Sequence, residues 1–202
     1  MTRVFLILLS VAFLFAGCNR ANLSYDKPYF DFDSLVNEQV YRLVQEKALI
    51  QKHARVNGKS DDSSYTPDSL HLANELDVFR QLDVVNKPIY RTSYKITDGE
   101  KDTKSNLLIR TYLFSAKGPN DKSPVPYIRF YYKQSPLNPK RIESVYLEEN
   151  SLYATRRELL LEFDDITGTS LLSSYKMEGI QKLIANDTTH FNIEVSFSHG
   201  LK

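Results

Sequence analysis

Three regimes of hydrophobic patterning divide the chain. From Val4 to Phe15 every residue but Ser10 is apolar, with no period; Arg3 precedes this run, and Ala16, Gly17 and Cys18 follow it. From residue 29 to residue 88 the helical period takes over. Asp33-Ser34 offers a cap. Leu35, Val36, Val40, Leu43 and Val44 then share one helical face, and Asn37, Glu38, Arg42 and Gln45 the other. Leu49–Val56 fits either an extension of that helix or a strand ending at the Asn57-Gly58 turn. Alternation of Ile50, Ala54 and Val56 favours the strand, although Lys52 falls on the same side. Lys59–Tyr65 reads as a polar loop. Thr66-Pro67-Asp68 supplies a cap, a proline at the first helical position and an acid near the positive end. The second helix then carries Leu72, Ala73, Leu76 and Phe79 as its stripe and ends near Leu82, before Asn86-Lys87-Pro88.

In the third regime the period falls to two. Tyr90, Thr92, Tyr94 and Ile96 alternate with Arg91, Ser93 and Lys95. Further strands are expected at Leu107–Ala116, Tyr127–Gln134, Arg141–Glu148, Ser151–Phe163, Leu171–Ile184 and His190–Ser198. The last is the cleanest, with Phe191, Ile193, Val195 and Phe197 opposite His190, Asn192, Glu194 and Ser196. No helical segment separates these strands, so neighbours should pair antiparallel as a meander. The expected fold class is α+β. Two N-terminal helices pack on a curved, mostly antiparallel sheet of about seven to eight strands.

The apolar run at the start is too short to span a bilayer. With its charged flank and small-residue exit it has the build of a secretory signal peptide. Phe15-Ala16-Gly17-Cys18 resembles the lipobox of bacterial lipoproteins, with Phe15 where that box usually has Leu. The resemblance implies lipidation of the Cys18 sulfur, cleavage before Cys18 and acylation of the new amine. Several acyl chains on one residue hold a protein where one binds reversibly. Residues 1–17 are then the signal peptide, 18–28 a lipid-anchored tether and 29–198 one α+β domain. The tether reaches at most about 33 Å.

Arg3 is the leader's one charge, so the mature chain balances its 25 acidic residues with as many basic ones. That excludes the basic surplus of a nucleic-acid binder. Cys18 is the only cysteine, so no disulfide forms within the chain.

Tyr29-Phe30-Asp31-Phe32-Asp33 before the first helix, Asn74-Glu75-Leu76-Asp77-Val78-Phe79-Arg80-Gln81-Leu82-Asp83, and Asn86-Lys87-Pro88 resemble uncharacterised lipoproteins of the Bacteroidota. The likeness implies a lineage and a compartment. In lipoproteins, an Asp directly after the cysteine marks inner-membrane retention in enterobacteria. An acidic cluster there accompanies surface export in Bacteroidota. Asn19-Arg20-Ala21 has neither, which implies an outer-membrane lipoprotein facing the periplasm.

Candidate chemistry is sparse. His53, His71, His190 and His199 lack ligand spacing, so no metal and no cofactor are expected. Asp164-Asp165 beside Thr167-Gly168, and Glu148-Glu149-Asn150, read as turns. No catalytic motif points to an enzyme. Interleaved Tyr and basic residues stand out on the strands, among them Arg91, Arg110, Tyr112, Arg129, Tyr131 and Lys133. The wet face of an antiparallel sheet favours these residue types anyway. Gathered on a concave surface, they would suit a glycan, a lipid headgroup or a partner protein. The expected function is a non-enzymatic envelope lipoprotein acting as a protein-interaction or scaffold module. The alternative is a carrier of a lipid or other hydrophobic ligand between sheet and helices. The expected partners are the membrane, through the anchor, and an envelope protein or lipid.

Overall fold

The computed structural model describes residues 26–116, 118, 121–166, 169–183 and 187–198. The apolar run, Cys18, His199 and Thr167-Gly168 lie outside the described residues. Among the described residues, nine strands form a single antiparallel sheet. They are β1 (Leu49–Val56), β2 (Lys59–Tyr65), β3 (Tyr94–Lys101), β4 (Leu108–Phe114), β5 (Tyr127–Tyr132), β6 (Arg141–Glu149), β7 (Tyr153–Ile166), β8 (Thr169–Leu183) and β9 (Thr189–Ser198). Their order is β2-β1-β9-β8-β7-β6-β5-β4-β3. Strands β3 to β9 are the expected meander, and the first hairpin adds its β1 to the β9 edge.

The strand count exceeds the expected seven to eight because Lys59–Tyr65 is a strand and not a loop. Asn57 and Gly58 both have positive φ, at 49° and 81°. That is the backbone of a two-residue hairpin turn matched to strand twist. The turn pairs Val56 with Lys59 and carries the register to Ile50 and Tyr65. Most of β2 is exposed, so no apolar alternation marks it. Its charges also blunt an open sheet edge.

Among the described residues, two α-helices cover one face of the sheet: α1 (Phe32–Gln45) and α2 (Ser69–Arg80). The expectation of two N-terminal helices is corrected, because α2 follows a complete hairpin of the sheet. The chain leaves β2 at one edge of the sheet and must reach β3 at the other. Helix α2, a 3-10 helix (Gln81–Asn86) and a 3-10 turn (Pro88–Tyr90) make that crossing. Contacts trace the path. Glu75 binds Lys52 of β1 at 2.5 Å and accepts from the Tyr175 hydroxyl of β8. Phe79 packs edge-on against Tyr175, the rings 5.2 Å apart. Gln81 accepts from Arg157 of β7 at 2.8 Å, and Tyr90 meets Phe114 of β4. Lys52 thus lies on the core side of β1 because it has a carboxylate partner there.

Both caps sit beside the residues expected. Asp31 caps α1, accepting from the Ser34 N–H at 2.9 Å, so the helix starts at Phe32 and buries that ring completely. Asp68, not Thr66, caps α2 through the His71 N–H at 2.8 Å. Of the expected stripes, Val36, Val40, Leu43, Leu72, Leu76 and Phe79 are buried. Gln39 is buried among them. Its side chain donates to the Ser170 carbonyl and accepts from the Leu172 N–H, at 3.2 and 2.8 Å. There β8 runs past the end of its pairing with β9, which begins at Ser174. An amide side chain stands in for the missing strand, since buried backbone groups require partners.

The residues before α1 are bonded to the segment after α2. The Lys27 ammonium reaches Asp31, Asp33 and Asp83 at 2.7, 3.0 and 3.0 Å. The Asn86 side chain accepts from the Tyr29 N–H and donates to the Phe30 carbonyl, both at 3.0 Å.

Candidate interaction surface

In the central strands alternation separates a face under the helices from an open face. The open face of β3 to β6 forms a groove of about 640 Å³. Register fixes its floor, because residues paired across the sheet point to the same side. One row is Thr97, Thr111, Arg129 and Glu143; the next runs from Ile109 through Tyr131 to Arg141. Lys95, Lys101 and Lys104 stand along the β3 side.

The aromatic and basic residues here are organised. The Arg141 guanidinium lies 3.9 Å from the centre of the Tyr131 ring. Tyr131 donates its hydroxyl to Glu143 at 2.7 Å. Burial, and then that bond to Glu143, push the Tyr131 hydroxyl upward, so it stays a donor. Arg129 lies over the Tyr127 ring at 4.9 Å. Arg141 also pairs with Glu143 at 3.1 Å, and stacking holds the guanidinium forks in place for a carboxylate, phosphate or peptide carbonyl.

The six expected surface residues do not form one patch. Arg129, Tyr131 and Lys133 share the open face by parity, Lys133 just past the end of β5. Arg110 pairs with Phe130, and Tyr112 with Ile128, which puts both on the helix side. Tyr112 is buried there against Phe130 and Tyr29, the rings 5.1 and 5.4 Å away. It is a core residue, not a contact residue. Arg110 is bound to Asp98. Arg91 is not on a strand at all. Pro88 has no N–H and fixes φ, so residues 88–90 wind into a 3-10 turn and β3 starts at Tyr94. Arg91 pairs with Asp26 at 3.0 Å. Thr97, Thr111 and Arg141 were missed. Their parity was readable along each strand, but their place beside Arg129 depends on the pairing register.

Two further hollows on the open face, of about 570 and 470 Å³, are lined by charges that largely answer one another. Lys176 binds Glu178 and Glu194 at 2.9 and 3.4 Å, and His53 meets Asp62 at 2.5 Å. On the helix face, Asp31, Asp33 and Asp83 bring three carboxylates together, with the Lys27 ammonium among them as their counter-ion. Among the described residues, an open polar cleft of about 360 Å³ lies between Asp33, Asp77, Arg80 and Tyr146, but the apolar space beneath the helices is small. The hollow bounded by Val36, Gln39, Leu76, Phe79, Leu161 and Leu172 measures about 10 Å³.

Asp98 gives this region an acid dependence. The Arg110 guanidinium, and then the Tyr132 hydroxyl, hold its carboxyl below the ordinary range. A depressed carboxylate contributes stability above its unfolded pKa and loses it as pH falls through the folded value. Asp98→Asn should therefore cost stability at pH 7, under about 1 kcal/mol because the pair is partly exposed. The difference from wild type should close well below the unfolded Asp value of about 3.9. Urea titrations at neutral and acid pH check this; a gap that persists in acid contradicts it.

No protein-family model, no curated protein and no solved structure matches this chain.

Proposed function

We propose that the chain is a bacterial envelope lipoprotein, anchored through Cys18 to the periplasmic side of the outer membrane. In this reading its folded domain is a non-enzymatic interaction module. The groove on β3 to β6 takes a protein partner, with Arg129 and Arg141 as forked donors and Tyr127 and Tyr131 as stacked surfaces.

The observation that carries the reading is how small the apolar hollow beneath the helices is. Ligand pockets run to about 300–1,000 Å³, and the hollow under the helices holds about 10 Å³. That supports a packed module over a carrier of lipid. The uncovered side of the sheet adds Tyr and Arg, residues enriched at the hot spots of protein interfaces.

Photo-crosslinking in cells tests this. A crosslinker at Thr111, on the groove floor, should trap one discrete protein, and Arg129→Glu should weaken the adduct. No adduct, together with lipid retained by the purified protein in native mass spectrometry, would turn the assignment to a carrier. Cys18→Ala should leave the precursor uncleaved and remove its firm hold on membranes.

A further inference from the structure

The tether leaves the domain at one end of the sheet, and that end carries two of the most exposed aliphatic side chains. Ile89 is 77% exposed and Leu152 is 70% exposed. Both sit on tight turns with their backbones bonded. The Tyr90 N–H donates to the Lys87 carbonyl at 2.8 Å, and the Arg91 N–H to Pro88 at 3.3 Å. The Asn150 side chain accepts from the N–H groups of Leu152 and Tyr153, at 2.8 and 3.0 Å. Residues 122–124 link the first turn to β6, the strand that leads into the second turn at the same end of the sheet. The Lys122 carbonyl accepts from the Tyr90 hydroxyl at 3.4 Å, and the Pro124 carbonyl from the Leu147 N–H at 2.7 Å. Lys87 and Lys122 are exposed on the same rim.

The tether is fixed to this rim. Asp26 pairs with Arg91 at 3.0 Å, and the Tyr29 hydroxyl donates to the Arg91 carbonyl at 3.1 Å. Residues 19–26 can reach no further than about 26 Å from Cys18. A chain anchored at Cys18 therefore holds this end of the domain close to the bilayer.

We propose that this rim is the membrane-contact surface of the domain, with Ile89 and Leu152 entering the headgroup region. The proposal rests on the anchor reading and adds an orientation to it. Exposed aliphatics on a polar rim are suited to the boundary between headgroups and acyl chains; the rim mixes Lys87 beside Ile89 with Glu149 beside Leu152. Their turns are already ordered, so contact costs little further entropy. The groove on β3 to β6 then runs along the side of the domain and stays open to a periplasmic partner.

The test uses the full chain purified from membranes and reconstituted in vesicles of phosphatidylethanolamine and phosphatidylglycerol. Ile89→Cys, Leu152→Cys and Leu137→Cys are each labelled with a polarity-sensitive nitrobenzoxadiazole probe. Leu137 lies on the β5–β6 turn at the other end of the sheet and is as exposed, at 71%. Probes at 89 and 152 should shift to the blue and lose emission to a lipid-borne quencher, while the probe at 137 stays water-like. Water-like emission at all three positions overturns the proposal. So does shielding of 89 and 152 in cells but not on vesicles, which would hand the rim to a protein. The labelling stoichiometry separates the two readings. One label per chain reports Cys18 blocked by lipid, and two report a free Cys18, which defeats the anchor reading itself.

Discussion

Phe130→Ala lowers the stability of the domain by about 3–5 kcal/mol. Phe130 is 1% exposed on β5. Its ring lies 4.9 Å from Phe30, 6.1 Å from Phe32 and 5.1 Å from Tyr112. That cluster joins three parts of the chain: the docked segment before α1, the first turn of α1, and the β4–β5 pair. Truncation removes the transfer free energy of a buried ring and leaves a hole that a sheet cannot close by shifting one strand. Against a domain stability of about 5–15 kcal/mol, the loss is a large share. In urea, the midpoint should fall with the slope unchanged. A loss below about 1 kcal/mol would be a surface-type effect and would contradict this packing.

Gly179→Ala should disrupt the longest pairing in the sheet. Gly179 on β8 faces Arg157 on β7. A Cβ built there would lie 2.0 Å from the Arg156 carbonyl oxygen and 3.1 Å from the Arg157 Cα. Both are backbone atoms, so no side chain can swing aside. The strands must part locally, at about 1–3 kcal/mol or more. Gly99, by contrast, has open space around its Cα, and its need for glycine comes from a φ of 82°. Hydrogen exchange should rise in β7 and β8 around the substituted residue, and the melting temperature should fall. Unchanged exchange would mean the two strands are not so closely apposed.

The legible parts of the fold were those where burial and period coincide. The alternation of β9 is written in the sequence, and Val195 and Phe197 are indeed buried, with Ile193 packed beside them. The stripe of α1 was equally plain. Lys59–Tyr65 was not, because a strand wet on both faces carries no apolar signal; its hairpin was announced only by Asn57-Gly58. Gln39 was opaque for the opposite reason. A polar residue beside an apolar stripe looks exposed until an unpaired strand end is placed against it.

The surface follows the same division. Arg129, Tyr131 and Lys133 share a face by alternation alone. Arg110 and Tyr112 could not be assigned relative to them without the β4–β5 register, since a slip of one residue exchanges the faces. Arg91 was misread because the proline three residues earlier turned an apparent strand into a 3-10 turn.

The anchor is most directly tested by the mass of the first residue of the protein taken from cell envelopes. The chain should begin at Cys18, its sulfur carrying a diacylglyceryl group and its amine an acyl chain. A chain beginning at Met1, or an unmodified Cys18 in the aqueous fraction, would contradict it.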